Sequence, residues 1–228
     1  MAASEGLLGA LLGRFGRGPV AVVGGGVLLA VFLVGLTLHD PPSVATYPLS
    51  PLRPAPVGSA LVGPVVHTVD ATAEGTWVRF DFSRGAVVPP DDPLGWDIAF
   101  RRFAILVNGG SGYPGAGGAI DLGEVPFDAV EQAPAAGYQG SVTHPDSANP
   151  ALDRWYEYGW STHLLTPRPR VYAVRTADGR YAKMQVLGYY CPGPRPGCLT
   201  FRYVYQGNGG RQFTGPPTTP VRSDSSAR

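Results

Sequence analysis

Val171-Tyr172-Ala173-Val174-Arg175-Thr176, then Ala177-Asp178-Gly179, then Tyr181 through Tyr190, is the stretch whose reading decides the fold. Runs of alternating β-forming residues flank an Asp-Gly pair, a strong short-range hairpin signal. A second reversal follows at once, Pro192-Gly193-Pro194-Arg195-Pro196-Gly197 between Cys191 and Cys198. Beyond it, Leu199, Phe201, Tyr203 and Tyr205 fall on one face of a third strand, since side chains alternate with period two. The prediction is an antiparallel meander. A disulfide between the chain's two cysteines, Cys191 and Cys198, would clip its tip. Closing so short a loop is worth roughly 2–3 kcal/mol. The alternative is two unpaired thiols. Zinc needs more ligands than this segment holds.

Upstream, Thr76-Trp77-Val78-Arg79-Phe80-Asp81-Phe82 alternates, with Val78, Phe80 and Phe82 facing inward. Trp96 to Val107 is apolar and β-branched apart from Asp97 and Arg101-Arg102. The region 108–170 reads mostly as loop, with a short helix near Phe127–Gln132. Gly (32) and Pro (24) make up almost a quarter of 228 residues and penalise helix interiors, so a mainly β domain over 57–206 is expected.

The N-terminal part differs. Pro19 to Leu38 carries no charge and is long enough to cross ~30 Å of hydrocarbon as a helix. Arg14 and Arg17 precede it and Asp40 follows. The positive-inside rule puts the N-terminus in the cytoplasm and the rest in the periplasm of a bacterial inner membrane. The rival reading is a signal peptide cut near Ser43-Val44-Ala45. Ala21 with Gly25, and Gly26 with Ala30, have the small-residue spacing that lets membrane helices approach closely. Residues 1–18 carry a Leu7–Phe15 stripe suited to the cytoplasmic interface. Residues 41–56 hold six prolines and read as a stiff spacer, and 207–228 reads as a disordered tail.

Chemistry is sparse. Net charge is +1, so nucleic acid is not an expected partner. Gly110-Ser111-Gly112-Tyr113-Pro114-Gly115 fits G-x-G-x-x-G in form only, because Pro114, Gly117 and Gly118 forbid the helix a nucleotide site needs. It reads as a mobile loop. No serine elbow or paired carboxylates are visible, and no enzyme is expected. Asp91-Asp92 lies in a turn. Of four histidines, His39 ends the apolar run and His67 alternates with Val65 and Val69, as a core residue would. His144 and His163 lie in loops, and no metal site is expected from any one of them alone.

Trp96-Asp97-Ile98-Ala99-Phe100-Arg101-Arg102 followed by Asn108-Gly109-Gly110 resembles the opening signature of the HmuY-type haem-binding proteins. The resemblance resumes at Tyr172–Lys183, Tyr189-Tyr190 and Thr200-Phe201-Arg202-Tyr203. It implies an all-β, sandwich-like fold and suggests haem held between loop histidines or methionines. His144 and His163 are the only histidine pair close enough in sequence to act together; Met184 is a possible soft ligand, but its strand position makes it core by default.

Two functions are expected. The leading one is a non-catalytic accessory subunit of a respiratory or photosynthetic membrane complex, without cofactor, contacting lipid and integral membrane subunits. The alternative is a membrane-tethered haem- or tetrapyrrole-binding protein.

Overall fold

A computed structural model describes residues 17–37, 43–51, 61–143 and 147–215. The chain divides into two units, one ending at Ser43 and one beginning at Val44. In the first, helix α1 spans Arg17–Thr37. Its side chains are described from 22 to 35, and Val22, Val23, Leu28 and Phe32 are all exposed.

The crossing expected over 19–38 needs correction. Among the described residues no helix is long and apolar enough to cross a membrane. Gly25 and Gly26 have nothing within 4 Å of a built Cβ, and Ala30 is exposed. The side chain of Ala21 and the stripe at 7–15 lie outside the described residues.

The second unit is built of strands: β1 (Leu61–Asp70), β2 (Val78–Asp81), β3 (Ala86–Val88), β4 (Ile98–Arg101), β5 (Ala104–Val107), β6 (Gly118–Asp121), β7 (Tyr156–Tyr158), β8 (Leu165–Pro167), β9 (Tyr172–Arg175), β10 (Tyr181–Cys191) and β11 (Arg195–Gln206). One sheet has the order β1-β11-β10-β9-β6, a second β3-β2-β4-β5, and β7-β8 forms a separate two-stranded hairpin. All strand pairs are antiparallel.

The two large sheets share one apolar core because each alternating run places its large residues on the same side. Phe80, Phe82, Ile98 and Phe100 meet Met184, Leu199, Phe201 and Tyr203 there. Phe201 is central, with ring centroids 5.2 Å from both Phe80 and Phe100. His67 is buried against Phe80, 4.8 Å between rings, and burial lowers its pKa. The Cys191–Cys198 disulfide closes the β10–β11 tip as expected.

Several expectations change. Three strands, β6, β7 and β8, fall in the region read as mostly loop. The helix near 127–132 is a single 3-10 turn, Phe127–Ala129. The spacer read over 41–56 includes a docked segment: Thr46 bridges to Tyr190, and the Ser50 hydroxyl accepts the Thr68 N–H at 2.9 Å. The tail read from 207 onward begins inside the domain, since Phe213 is buried and its N–H donates to Glu131 O at 2.7 Å. Buried Lys183 was not foreseen. It donates to the carbonyls of Phe127 (2.8 Å) and Val130 (2.9 Å), capping that turn, and burial lowers its pKa.

Candidate functional site

The β7–β8 hairpin pairs Tyr156 with Pro167, Glu157 with Thr166 and Tyr158 with Leu165. Two bonds tighten its loop: Gly159 N–H donates to Leu164 O at 2.9 Å, and His163 N–H donates to Gly159 O at 2.7 Å. A Cβ at Gly159 would sit 2.4 Å from Thr162 Oγ1, so any larger residue there would make the Thr162 side chain rotate away. His163 adopts φ 56°, a left-handed conformation that costs a non-glycine residue about 1 kcal/mol.

Three side chains cluster at this tip. The Tyr158 hydroxyl is hydrogen-bonded to His163 Nδ1. The Tyr158 ring lies 5.8 Å from that of Trp160 and 5.9 Å from that of His163. All three are exposed, and Trp160 is 85% accessible. Large aromatic rings left this open mark contact surfaces more often than structure. The hairpin is anchored to the rest of its unit. Leu165 N–H donates to Tyr190 Oη at 2.9 Å, Arg168 N–H to Trp155 O at 2.8 Å, and the Trp155 indole to Phe103 O at 2.8 Å.

The expected ligands fare unequally. His163 is presented at the surface, while His144 and His39 lie outside the described residues. The joint placement of His144 with His163 is therefore not on view. Met184 is fully buried in the core, as its strand position implies. Asp92 makes a turn, its Oδ1 accepting Leu94 N–H at 3.0 Å. Among the described residues no group of three His, Cys, Asp or Glu side chains is placed to hold a metal. Tyr158 and Trp160 escaped the sequence reading because β7 and β8 are only three residues long and Trp160 lies in the turn between them.

The residues that carried the resemblance lie elsewhere, at joints of the fold. Asp97 is buried; its Oδ1 accepts Ala177 N–H and its Oδ2 accepts Phe82 N–H, both at 2.9 Å, tying the β9–β10 turn to the second sheet. Desolvation, with the charges of Asp81 and Asp178, pushes its pKa up to about 7 against the pull of those two donors. It lines a cavity of about 250 Å³ with Asp81, Asp178 and Tyr205. Asp81 and Asp178 are each paired with an arginine, Arg84 and Arg180. Asn108 donates to Pro93 O and Trp96 O, both at 2.9 Å, and accepts from Gly115 N–H at 3.3 Å. Around it the glycine-rich segment is packed rather than mobile: a Cβ at Gly109 would stand 2.1 Å from Gly117 O.

Comparison with known proteins agrees with this architecture. No curated protein matches the chain. Among solved structures, an apo HmuY analogue from Tannerella forsythia is 21% identical, with TM-score 0.53 over 67% of this chain and 99% of that one. Apo PinO from Porphyromonas gingivitis is 15% identical, with TM-score 0.51 over 64% and 97%. A candidate HmuY-like haem-binding protein from Bacteroides vulgatus is 23% identical, with TM-score 0.50 over 62% and 91%. At these identities the likeness is one of fold. The HmuY protein family model matches residues 73–203, more than half of the 228, and the chain belongs to that family.

Proposed function

We propose that the chain is a non-catalytic protein that binds haem or a related flat tetrapyrrole at the β7–β8 tip. The observation that carries this reading is the exposed imidazole of His163 set beside the open rings of Tyr158 and Trp160. Haem, when bound, would supply an iron centre that an imidazole can ligate. The donor chemistry fits: His163 offers a nitrogen, and the two aromatic rings offer flat apolar surface for a macrocycle. His144 is the second candidate ligand, on the sequence alone. Family membership, and the haem-binding description of the Bacteroides vulgatus relative, support the same reading.

The test is haemin titration of the full chain in mild detergent. A Soret band that sharpens at a fixed stoichiometry is expected, and His163→Ala should weaken binding at least tenfold, on the scale of a lost metal ligand or its support. A titration that His163→Ala leaves unchanged removes this site from consideration.

A second reading is favoured by α1. A helix with Val22, Val23, Leu28 and Phe32 all exposed needs lipid or an apolar protein surface around it. In this reading the chain is an accessory subunit of a bacterial inner-membrane complex, its β domain on the periplasmic side. Integral membrane subunits that co-purify in the same detergent, without a Soret band, would favour it over haem binding.

A further inference from the structure

The tip fixes more than the position of His163; it also distinguishes the two ring nitrogens. Nδ1 is occupied by the Tyr158 hydroxyl, whereas Nε2 makes no hydrogen bond to any of the described residues and belongs to an exposed residue. The backbone beneath is held by the bond from His163 N–H to Gly159 O at 2.7 Å, in a left-handed conformation with φ 56°. Backbone and ring are thus held separately, one by the turn and one by Tyr158. Tyr158 is itself fixed from two sides, by its pairing with Leu165 in the β7–β8 ladder and by its edge contact with Trp160.

Resting on the proposal that this tip binds a tetrapyrrole, we infer that Tyr158 is the positioning residue of the site: it engages Nδ1 of His163 so that Nε2 is the nitrogen presented to an incoming metal centre. Ligation through Nε2 leaves the proton on Nδ1, which then donates to the Tyr158 oxygen. The phenol O–H turns to solvent, which its exposure allows. A hydrogen bond on the second nitrogen is the common device by which a ligand histidine is oriented. Removing the hydroxyl frees the ring to rotate and to offer either nitrogen.

A readout without haem separates this inference from the reading it rests on. Iodoacetate alkylates either nitrogen of an accessible imidazole, and the described cysteines are both in the disulfide, so they do not compete. Tryptic peptide 155–170 carries His163 as its only histidine, which lets the two carboxymethyl isomers be counted at that residue alone. The full chain in detergent should give mainly the Nε2 product. Tyr158→Phe, which keeps the ring and removes only the hydroxyl, should lower the Nε2:Nδ1 ratio several-fold, toward that of free histidine. Amide signals of Glu157 and Thr166, paired across the hairpin, verify that the variant stays folded. In haemin titrations the same variant should bind about tenfold to a hundredfold more weakly, the range for lost outer-shell support. An unchanged isomer ratio overturns the role of Tyr158, whatever haemin does. A shifted ratio with no haemin uptake by either protein upholds the role and sinks the haem reading.

Discussion

The chain contains two hairpins of opposite design. β10–β11 runs from the Tyr181/Gln206 pair to the Cys191/Arg195 pair, is buried over most of its length and is closed by a covalent bond. β7–β8 has three pairs, and its tip exposes a tyrosine, a tryptophan and a histidine. In the first, each inward side chain is surrounded, so its identity is set by packing. In the second, hydrogen bonds to Tyr190 and Phe103 anchor the hairpin to the domain while the tip side chains stay open to solvent. The contrast separates stability from recognition: one hairpin assembles the core, and the other projects chemistry from it.

Three experiments break or sharpen that contrast, and the largest effect is expected at Asp97, which ties the turn before β10 to the second sheet. Its folded pKa, about 7, is raised above the ordinary 3.8, so the native state holds a proton that the unfolded chain releases first. Stability should fall as pH rises from about 4 to about 7 and level off above, by on the order of 4 kcal/mol. His67 acts in the opposite sense, because burial lowers its pKa and its contribution is lost as pH falls below about 6.5. Asp97→Asn isolates the first effect. Urea unfolding followed by Trp fluorescence across this range should lose most of the downward slope. An equally steep fall in the variant would assign the slope to another group.

Next in size is the disulfide. Cys191→Ser with Cys198→Ser should cost roughly 2–3 kcal/mol, as expected for so short a loop. The denaturation midpoint should drop while haemin binding at the other hairpin stays within twofold. Coupled losses would show that the two hairpins do not act independently. The smallest effect is expected at Trp160→Ala. Its ring is 85% accessible, and open surface substitutions change stability by about 0.5 kcal/mol or less. Thermal unfolding should be nearly unchanged while haemin affinity falls. A large drop in melting temperature would mean that the ring is structural after all.

The meander and its disulfide were legible because period-two alternation and an Asp-Gly turn are local signals, and β9, β10 and β11 carry both. The short strands were not. β6 is Gly118–Asp121, and its pairing to β9 depends on Val174 and Ala173 far along the chain. The glycines at 109–118 looked like a loose loop because composition cannot show what approaches a backbone. The structure fills their missing side-chain space with other main-chain atoms. Phe213 fell in a polar stretch read as tail, and only its partners, Phe127 and Val204, explain its burial. At the candidate site, His163 was legible as a loop histidine. Tyr158 and Trp160 were not, since their meeting depends on a turn at Gly159 that carries no strong motif. The family blocks pointed to Asp97 and Asn108, which are buried and hold segments together. A match built on such residues reports architecture and is silent about what the tip holds.

The sheet order also says something about how this protein is made. β11 lies between β1 and β10, so the first strand of the domain takes as its neighbour the last. A ribosome releases Phe80, Phe82 and Phe100 long before Phe201, the ring against which all three pack. Joining ends this distant costs loop entropy before any contact repays it, and such topologies fold slowly. For most of its synthesis the newborn domain carries half of its aromatic centre without the other half. Its final strand converts a set of exposed rings into a closed interior, and chaperone binding during translation should concentrate on the segment between β2 and β5.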